Sequence, residues 1–266
     1  MPHVDAVECL QTLCAQVGFD FRRAKASIAE RMQLLAEHGE TFEDARRMTT
    51  YAHRMFEHYA DKPRPFTDVE RRTVVLGCLF SDVGKTGPEE ADEASQRLIV
   101  EMFAVEGVDD DQQPVSRFLQ RYFPDDAAKR QAHFESLGLD AGMSIRKFWN
   151  QHADWTLAIA ETAGLPLEAV AAAASHHLLD DVNPRTIVGD DSLFTRKFGE
   201  NDRFDRAEKL VILLDKYDAI RRRGRRNHAE AIVWLRERIG KNQRFRDDPE
   251  LAALLAEVDL ALGDSD

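Results

Sequence analysis

Two carboxylates in this chain stand where a carboxylate is costly. Asp82 follows the apolar run VVLGCLF, and Asp215 interrupts LVILLDKYDAI. An acid beside a core run must be paired, hydrogen-bonded or metal-bound, because its desolvation is otherwise uncompensated. Four of the nine histidines, His53, His152, His176 and His177, fall in segments that read as helix beside apolar residues. Imidazole and carboxylate are together the donor set of divalent transition metals. Taken singly, each has a plainer explanation: a lone helical histidine is usually a satisfied or half-exposed residue, and an aspartate after a helix is usually a turn former. Their order along the chain shifts the balance towards a dispersed metal site.

Asp82 opens DVGKTG, which contains Gly-Lys-Thr and so raises a phosphate-binding loop. That loop needs a glycine five residues before Gly84, where Leu79 stands, and a strand in front of it. Neither condition is met. The basic run RRRGRR, residues 221–226, is the one concentration of positive charge, and it follows Asp215 closely enough to bring Arg225 or Arg226 to a site mouth as a phosphate grip. A solvated helix end with compensating charges explains the same run equally well. Trp149 and Trp155 read as core residues rather than base-stacking platforms.

The elements that must position these residues are helical throughout. Apolar residues recur at helical spacing and alternating β-branched runs are nearly absent, which predicts an all-α protein. Helices are expected over residues 5–17, 22–38, 41–59, a segment capped by Thr67 and Glu70, 89–106, 114–123, 125–137, 144–163, the stretch LEAVAAAASHHLL, 205–222, 228–239 and from Pro249 onward. Thr41 is the expected cap of the third. Residues 180–204 read as a long loop of the kind that borders sites.

The 266 residues, 43% of them hydrophobic, suffice for one large core or two small ones. A net charge of -12 argues against general nucleic-acid or anionic-membrane binding, so a phosphorylated ligand needs a local basic pocket. Protein partners and a homodimer stay open. Cys9, Cys14 and Cys78 show no metal spacing and cannot all pair, which favours a reducing cytoplasmic setting. No membrane span or signal segment is expected.

In sequence order, His53 in TTYAHRM, Ser81-Asp82-Val83-Gly84-Lys85, His152 in WNQHADWTLAIAE, His176-His177 and Asp215 in LLDKYDAI resemble the HD superfamily of metal-dependent phosphohydrolases, most closely its HD-GYP branch. The 24 positions between His152 and His176 are of the family's length. The resemblance covers about residues 40–240 and is specific in DVGK, HH and DKYDAI. Residues 89–143 read as a helical insertion, residues 1–39 as N-terminal helices packed on the core, and residues 241–266 as a C-terminal helix.

The resemblance implies an HD-like helical bundle and a divalent transition metal, iron or manganese, with one well-bound ion and a weaker second. It implies His53, Asp82, His152, His176, His177 and Asp215 as metal ligands and Asp82 as the bridge. Lys85 would lie beside a phosphoryl group, so that Asp82 and Lys85 are the catalytic pair and Lys85, His177, Arg225 and Arg226 contact substrate. The substrate class implied is a nucleotide or cyclic-nucleotide phosphodiester. Adjacent helical residues point about 100° apart, so His177 is left for another metal, the substrate or the helix end.

Three departures stand out. Ser81 replaces the family's first signature histidine, and a hydroxyl is a poorer ligand than imidazole for these metals. LLDDVNP stands where the Gly-Tyr-Pro loop belongs, and Thr49 stands where a three-metal branch carries glutamate. Two other classes therefore accompany the phosphohydrolase reading: a degenerate HD domain that binds a nucleotide or a protein without catalysis, and an HD-type diiron oxygenase.

Overall fold

Thr67 and Glu70 set the start of the helix on which everything else packs. The Glu70 amide donates to Thr67 Oγ1 at 3.3 Å and the Thr67 amide donates to Glu70 Oε2 at 2.8 Å, a reciprocal cap that satisfies two otherwise orphaned donors. A computed structural model of the chain describes residues 6–182, 206–222 and 224–263. Twelve α-helices and three short 3-10 turns, with no strand, make up the described residues, so the fold is all-α. The long loop expected over 180–204 lies outside the described residues beyond position 182.

In chain order the helices are α1 (Ala6–Gln16), α2 (Ala26–His38), α3 (Thr41–Tyr59), α4 (Asp68–Phe80), α5 (Glu93–Phe103), α6 (Val115–Tyr122), α7 (Ala127–Ser136), α8 (Ile145–Thr162), α9 (Leu167–Ala174), α10 (Arg206–Arg222), α11 (His228–Lys241) and α12 (Pro249–Leu262). The sequence periodicity anticipates all twelve. Thr41 is the first residue of α3 rather than its cap, which is Glu40 without a side-chain bond.

Helix α4 is central, packed by α3, α9 and α10. The close approach needs small residues. A Cβ on Gly77 would lie 2.9 Å from both Ala172 Cβ and Val211 Cγ2, so only glycine lets α4 meet α9 and α10 at this distance. The alanines of α9, from Ala171 to Ala174, are fully buried and supply the matching flat face. Helix α10 is buried almost all round, which explains its continuous apolar run and makes its charged residues conspicuous.

Helices α3 and α4 run antiparallel. The C-terminal Tyr59 of α3 packs edge-on against Phe66, just before α4 begins, with ring centroids 4.9 Å apart. At the other end, the carboxyl of Asp44 feels the charges of Asp82 and Lys85 beyond the C-terminus of α4. Helices α6 and α7 form a local excursion. Its two ends are tied by a bridge between Pro114 and Ser144, with the Val115 amide donating to Met143 O at 2.9 Å and the Ile145 amide to Gln113 O at 3.0 Å.

The N-terminal helices hold the turn that follows α4. Arg31 of α2, 3% exposed, donates to Thr86 Oγ1 at 2.7 Å, Pro88 O at 2.9 Å and Glu89 O at 2.8 Å. Helix α12 closes the far side against α3, α10 and α11. All three cysteines are free, and burial pushes the Cys14 thiol up to about 12. Among the described residues no helix is long and apolar enough to cross a membrane.

Candidate metal centre

Phe80 ends α4, and the chain turns through Ser81 and Asp82 into a 3-10 turn at Val83–Thr86 that lies directly on α8. Gly84 makes this possible. A Cβ there would sit 2.0 Å from His152 O and 2.5 Å from the Thr156 nitrogen, backbone atoms that cannot give way. Thr156 clamps the same turn from both sides. Its hydroxyl donates to Ser81 O at 2.8 Å and accepts from the Gly84 amide at 3.0 Å. The result is that Asp82 Oδ1 faces His152 Nε2 at 3.3 Å.

His176 and His177 arrive by a different route from the one the sequence suggests. LEAVAAAASHHLL contains no breaker, yet α9 ends at Ala174. Side chains take over its last free carbonyls: Ser175 Oγ donates to Ala172 O at 3.3 Å, and His176 Nδ1 donates to Ala173 O at 2.7 Å. Because the two histidines lie in the turn beyond the helix, the 100° rule does not separate them. Both face His152, with Nε2 of His176 at 3.2 Å and Nε2 of His177 at 3.1 Å from His152 Nε2.

Asp82, His152, His176 and His177 thus present one candidate ligand atom each, all within 4.8 Å of one another. Of the six ligands implied by the HD resemblance, these four converge. Asp215 borders the group: its Oδ2 lies 3.9 Å from His177 Nδ1 and 2.9 Å from the Lys216 ammonium. His53 lies elsewhere. It stands two positions from Tyr51, roughly 200° round the helix, and Tyr51 is the residue that packs on Tyr217 of α10. The His53 imidazole packs on Phe56 and feels Glu57 and Arg71, and burial lowers its pKa. Arg71 is in the first turn of α4, eleven residues before Asp82, which is about 16 Å along a helix. In an antiparallel pair the residue of α3 that looks towards Asp82 is Asp44, not His53.

Hydrogen-bond partners assign the imidazole tautomers. A carbonyl can only accept, so His152 donates from Nδ1 to Trp149 O, and His176 likewise to Ala173 O. Burial lowers the His152 pKa, more than the neighbouring Asp82 raises it, and favours its neutral form. The Nε2 atoms of the two rings lie 3.2 Å apart and 3.3 Å and 3.6 Å from Asp82 Oδ1. Two imidazole nitrogens and a carboxylate oxygen therefore converge on one point, a group that could hold a metal ion. The donor set fits a metal in another respect: ligating histidines characteristically donate their remaining N–H to a backbone carbonyl. Two imidazoles and one carboxylate suit zinc, iron(II) or manganese(II).

His177 differs. The Lys216 ammonium stands 2.6 Å from its Nδ1, and an ammonium only donates, so Nδ1 accepts and Nε2 carries the proton. His177 therefore points an N–H, not a lone pair, into the centre. Burial, His176 and Lys216 all push its pKa well down, which keeps it neutral.

The charges are paired outward. Burial pushes the Asp82 carboxyl up, but the Lys85 ammonium at 2.7 Å is the largest influence opposing it, and the carboxyl is held well below the usual carboxylate range. Lys85 is therefore buried and paired with Asp82. Arg225 and Arg226, the expected substrate grips, are exposed past the end of α10 and do not join the cluster. The basic run does its pairing earlier, where Arg222 bonds Glu40 at 3.0 Å and also Asp44.

Ser81 contributes no ligand. Its hydroxyl donates to Cys78 O at 3.2 Å, back into α4, and the residue is 1% exposed. Two residues that the sequence left unassigned matter instead. Asp180 is 2.6 Å from Lys216 Nζ, and Lys216 is itself buried. The signal for Lys216 was present: a lysine in the same apolar run that made Asp215 conspicuous demands a partner for the same reason. Comparison with protein-family models, curated proteins and solved structures found no match.

Two outcomes are expected. His152→Ala and His176→Ala each abolish stoichiometric metal binding, whereas His53→Ala leaves it unchanged, as read by elemental analysis at matched protein concentration; equal loss in all three would place His53 in the centre. Ser81→His adds no metal and lowers stability by about 1–3 kcal/mol, the usual cost of overfilling a packed site, measured by denaturant melting.

Proposed function

We propose that this chain is an HD-type metal-dependent phosphohydrolase acting on a phosphodiester of nucleotide or cyclic-nucleotide type. The observation that carries the reading is the convergence of two imidazole nitrogens and the Asp82 carboxylate, with the Lys85 ammonium 2.7 Å from the same carboxylate. The order His152, His176 and Asp82 with its DVGK turn supports the HD resemblance, and a centre bordered by two buried lysines suits an anionic substrate in a chain whose net charge is -12.

A divalent ion held by Asp82, His152 and His176 supplies Lewis acidity towards a phosphoryl oxygen and acidifies water. The remaining work falls to the chain. Lys85 is a point charge able to swing from Asp82 to a phosphoryl oxygen when the carboxylate takes up a metal, since its Nζ has three donors and one is engaged in the pair. The protonated Nε2 of His177 is a positioned donor, 3.1 Å from His152 Nε2. It can bond a phosphoryl oxygen or the departing alkoxide. Thr156 and Gly84 keep Asp82 in place.

The test is hydrolysis of bis-p-nitrophenyl phosphate by protein loaded with manganese, iron(II) or zinc. Turnover is expected to require metal, to vanish in Asp82→Asn, and to fall by about a hundredfold or more in Lys85→Ala, the range for removal of one charge-stabilising donor. A protein that binds the metal, takes up nucleotide and never turns over would instead be a binding module, and substrate-dependent oxygen consumption by the iron form would make it an oxygenase.

A further inference from the structure

Behind the metal centre lies a second nest of donors, and a lysine fills it. His177 Nδ1, Asp180 Oδ2 and Asp215 Oδ2 surround the Lys216 Nζ at 2.6, 2.6 and 2.9 Å. The three come from the turn after α9 and from α10, and Lys216 is 6% exposed. One imidazole nitrogen and two carboxylates are themselves a complete donor set for a divalent cation. Asp215 and His177 are also two of the residues that the HD resemblance assigns to metal.

We propose that the Lys216 ammonium occupies the place of a second cation, so that the centre takes one divalent ion and carries its second positive charge on the chain. This rests on the metal-centre reading above. An ammonium has the sign and hydrogen-bonding appetite to hold two carboxylates together, but it has no open coordination position and cannot bind water or substrate as an ion does. The consequence for His177 is specific. Lys216 claims Nδ1, which fixes the proton on Nε2 and converts a residue that could ligate into one that donates. Lys216 is a positioning residue for that donor.

The charge balance points the same way. Asp82 is matched by Lys85, while Asp180 and Asp215 are matched by Lys216 and by Arg238, whose Nη2 is 3.5 Å from Asp180 Oδ1. The unloaded site is then near neutral, so a single divalent ion makes it a net cation able to hold a phosphodiester anion. A second ion would have to enter against the Lys216 charge.

The experiment is to titrate the full chain and Lys216→Ala with manganese and count bound ions by native mass spectrometry, alongside circular dichroism to confirm folding. The expected result is about one ion per wild-type chain and about one more in Lys216→Ala, where the vacated donors are free to ligate. Lys216→Met, which removes the charge but keeps the bulk, is expected to stay at the wild-type count. The reading is the difference between chains: a wild type that binds none while Lys216→Ala binds one would overturn the metal-centre reading and keep this one. A folded Lys216→Ala that binds no more than wild type overturns the lysine's role. If that variant does not fold, electron paramagnetic resonance of manganese-loaded wild type decides: an isolated ion is expected, and a spin-coupled pair with Lys216 intact overturns the proposal.

Discussion

A missing side chain sets the geometry of this centre. Because Gly84 has no Cβ, the turn after α4 can lie against the His152 peptide, where any other residue would put a carbon 2.0 Å from a carbonyl oxygen. Everything at the site follows from that approach. It sets Asp82 against His152, lets Thr156 bond both Ser81 O and the Gly84 amide, and leaves Arg31 to hold the outgoing chain at Thr86, Pro88 and Glu89. Alanine at position 84 would have to separate the turn from α8, and the Asp82 contacts would be lost with it.

The second constraint is electrostatic. Two groups of ion pairs surround the centre, Lys85 with Asp82, and Lys216 with Asp180 and Asp215. Removing one partner of such a buried pair typically costs about 3–5 kcal/mol, because the other charge is left without water or counter-ion. Between the two groups stand the donor atoms of Asp82, His152, His176 and His177, all within 4.8 Å of one another. That cluster is a group that could hold a metal ion.

Much of this was legible in the sequence, and the parts that were not have physical causes. The periodicity fixes the helices, the Thr67–Glu70 pair marks the start of α4, and the apolar runs beside Asp82 and Asp215 single out both acids because burial next to a core run is intolerable for an unpaired carboxylate. His53 misled because a histidine on a helix gives neither its phase nor the direction of the neighbouring helix; the antiparallel packing of α3 on α4 sends it towards Arg71. The end of α9 was invisible because it is made by side chains of ordinary helical composition, Ser175 and His176, bonding back to Ala172 and Ala173. Lys216 was overlooked because a lysine beside an aspartate reads as a surface pair until the helix carrying both is found to be buried.

The site rests on the tautomers of three histidines: His152 and His176 bond backbone carbonyls through Nδ1 and turn Nε2 towards Asp82, while His177 accepts from Lys216 at Nδ1 and turns an N–H towards His152. Long-range proton–nitrogen correlation spectra of the metal-free protein, with side-chain nitrogens of the three histidines assigned, test it directly. The account predicts the proton on Nδ1 in His152 and His176 and on Nε2 in His177, with zinc moving the Nε2 resonances of the first two and leaving the tautomer of the third unchanged. A proton found on Nε2 of His152 and His176 in the neutral rings, or an Nδ1-protonated His177 that ligates the added zinc, would contradict it.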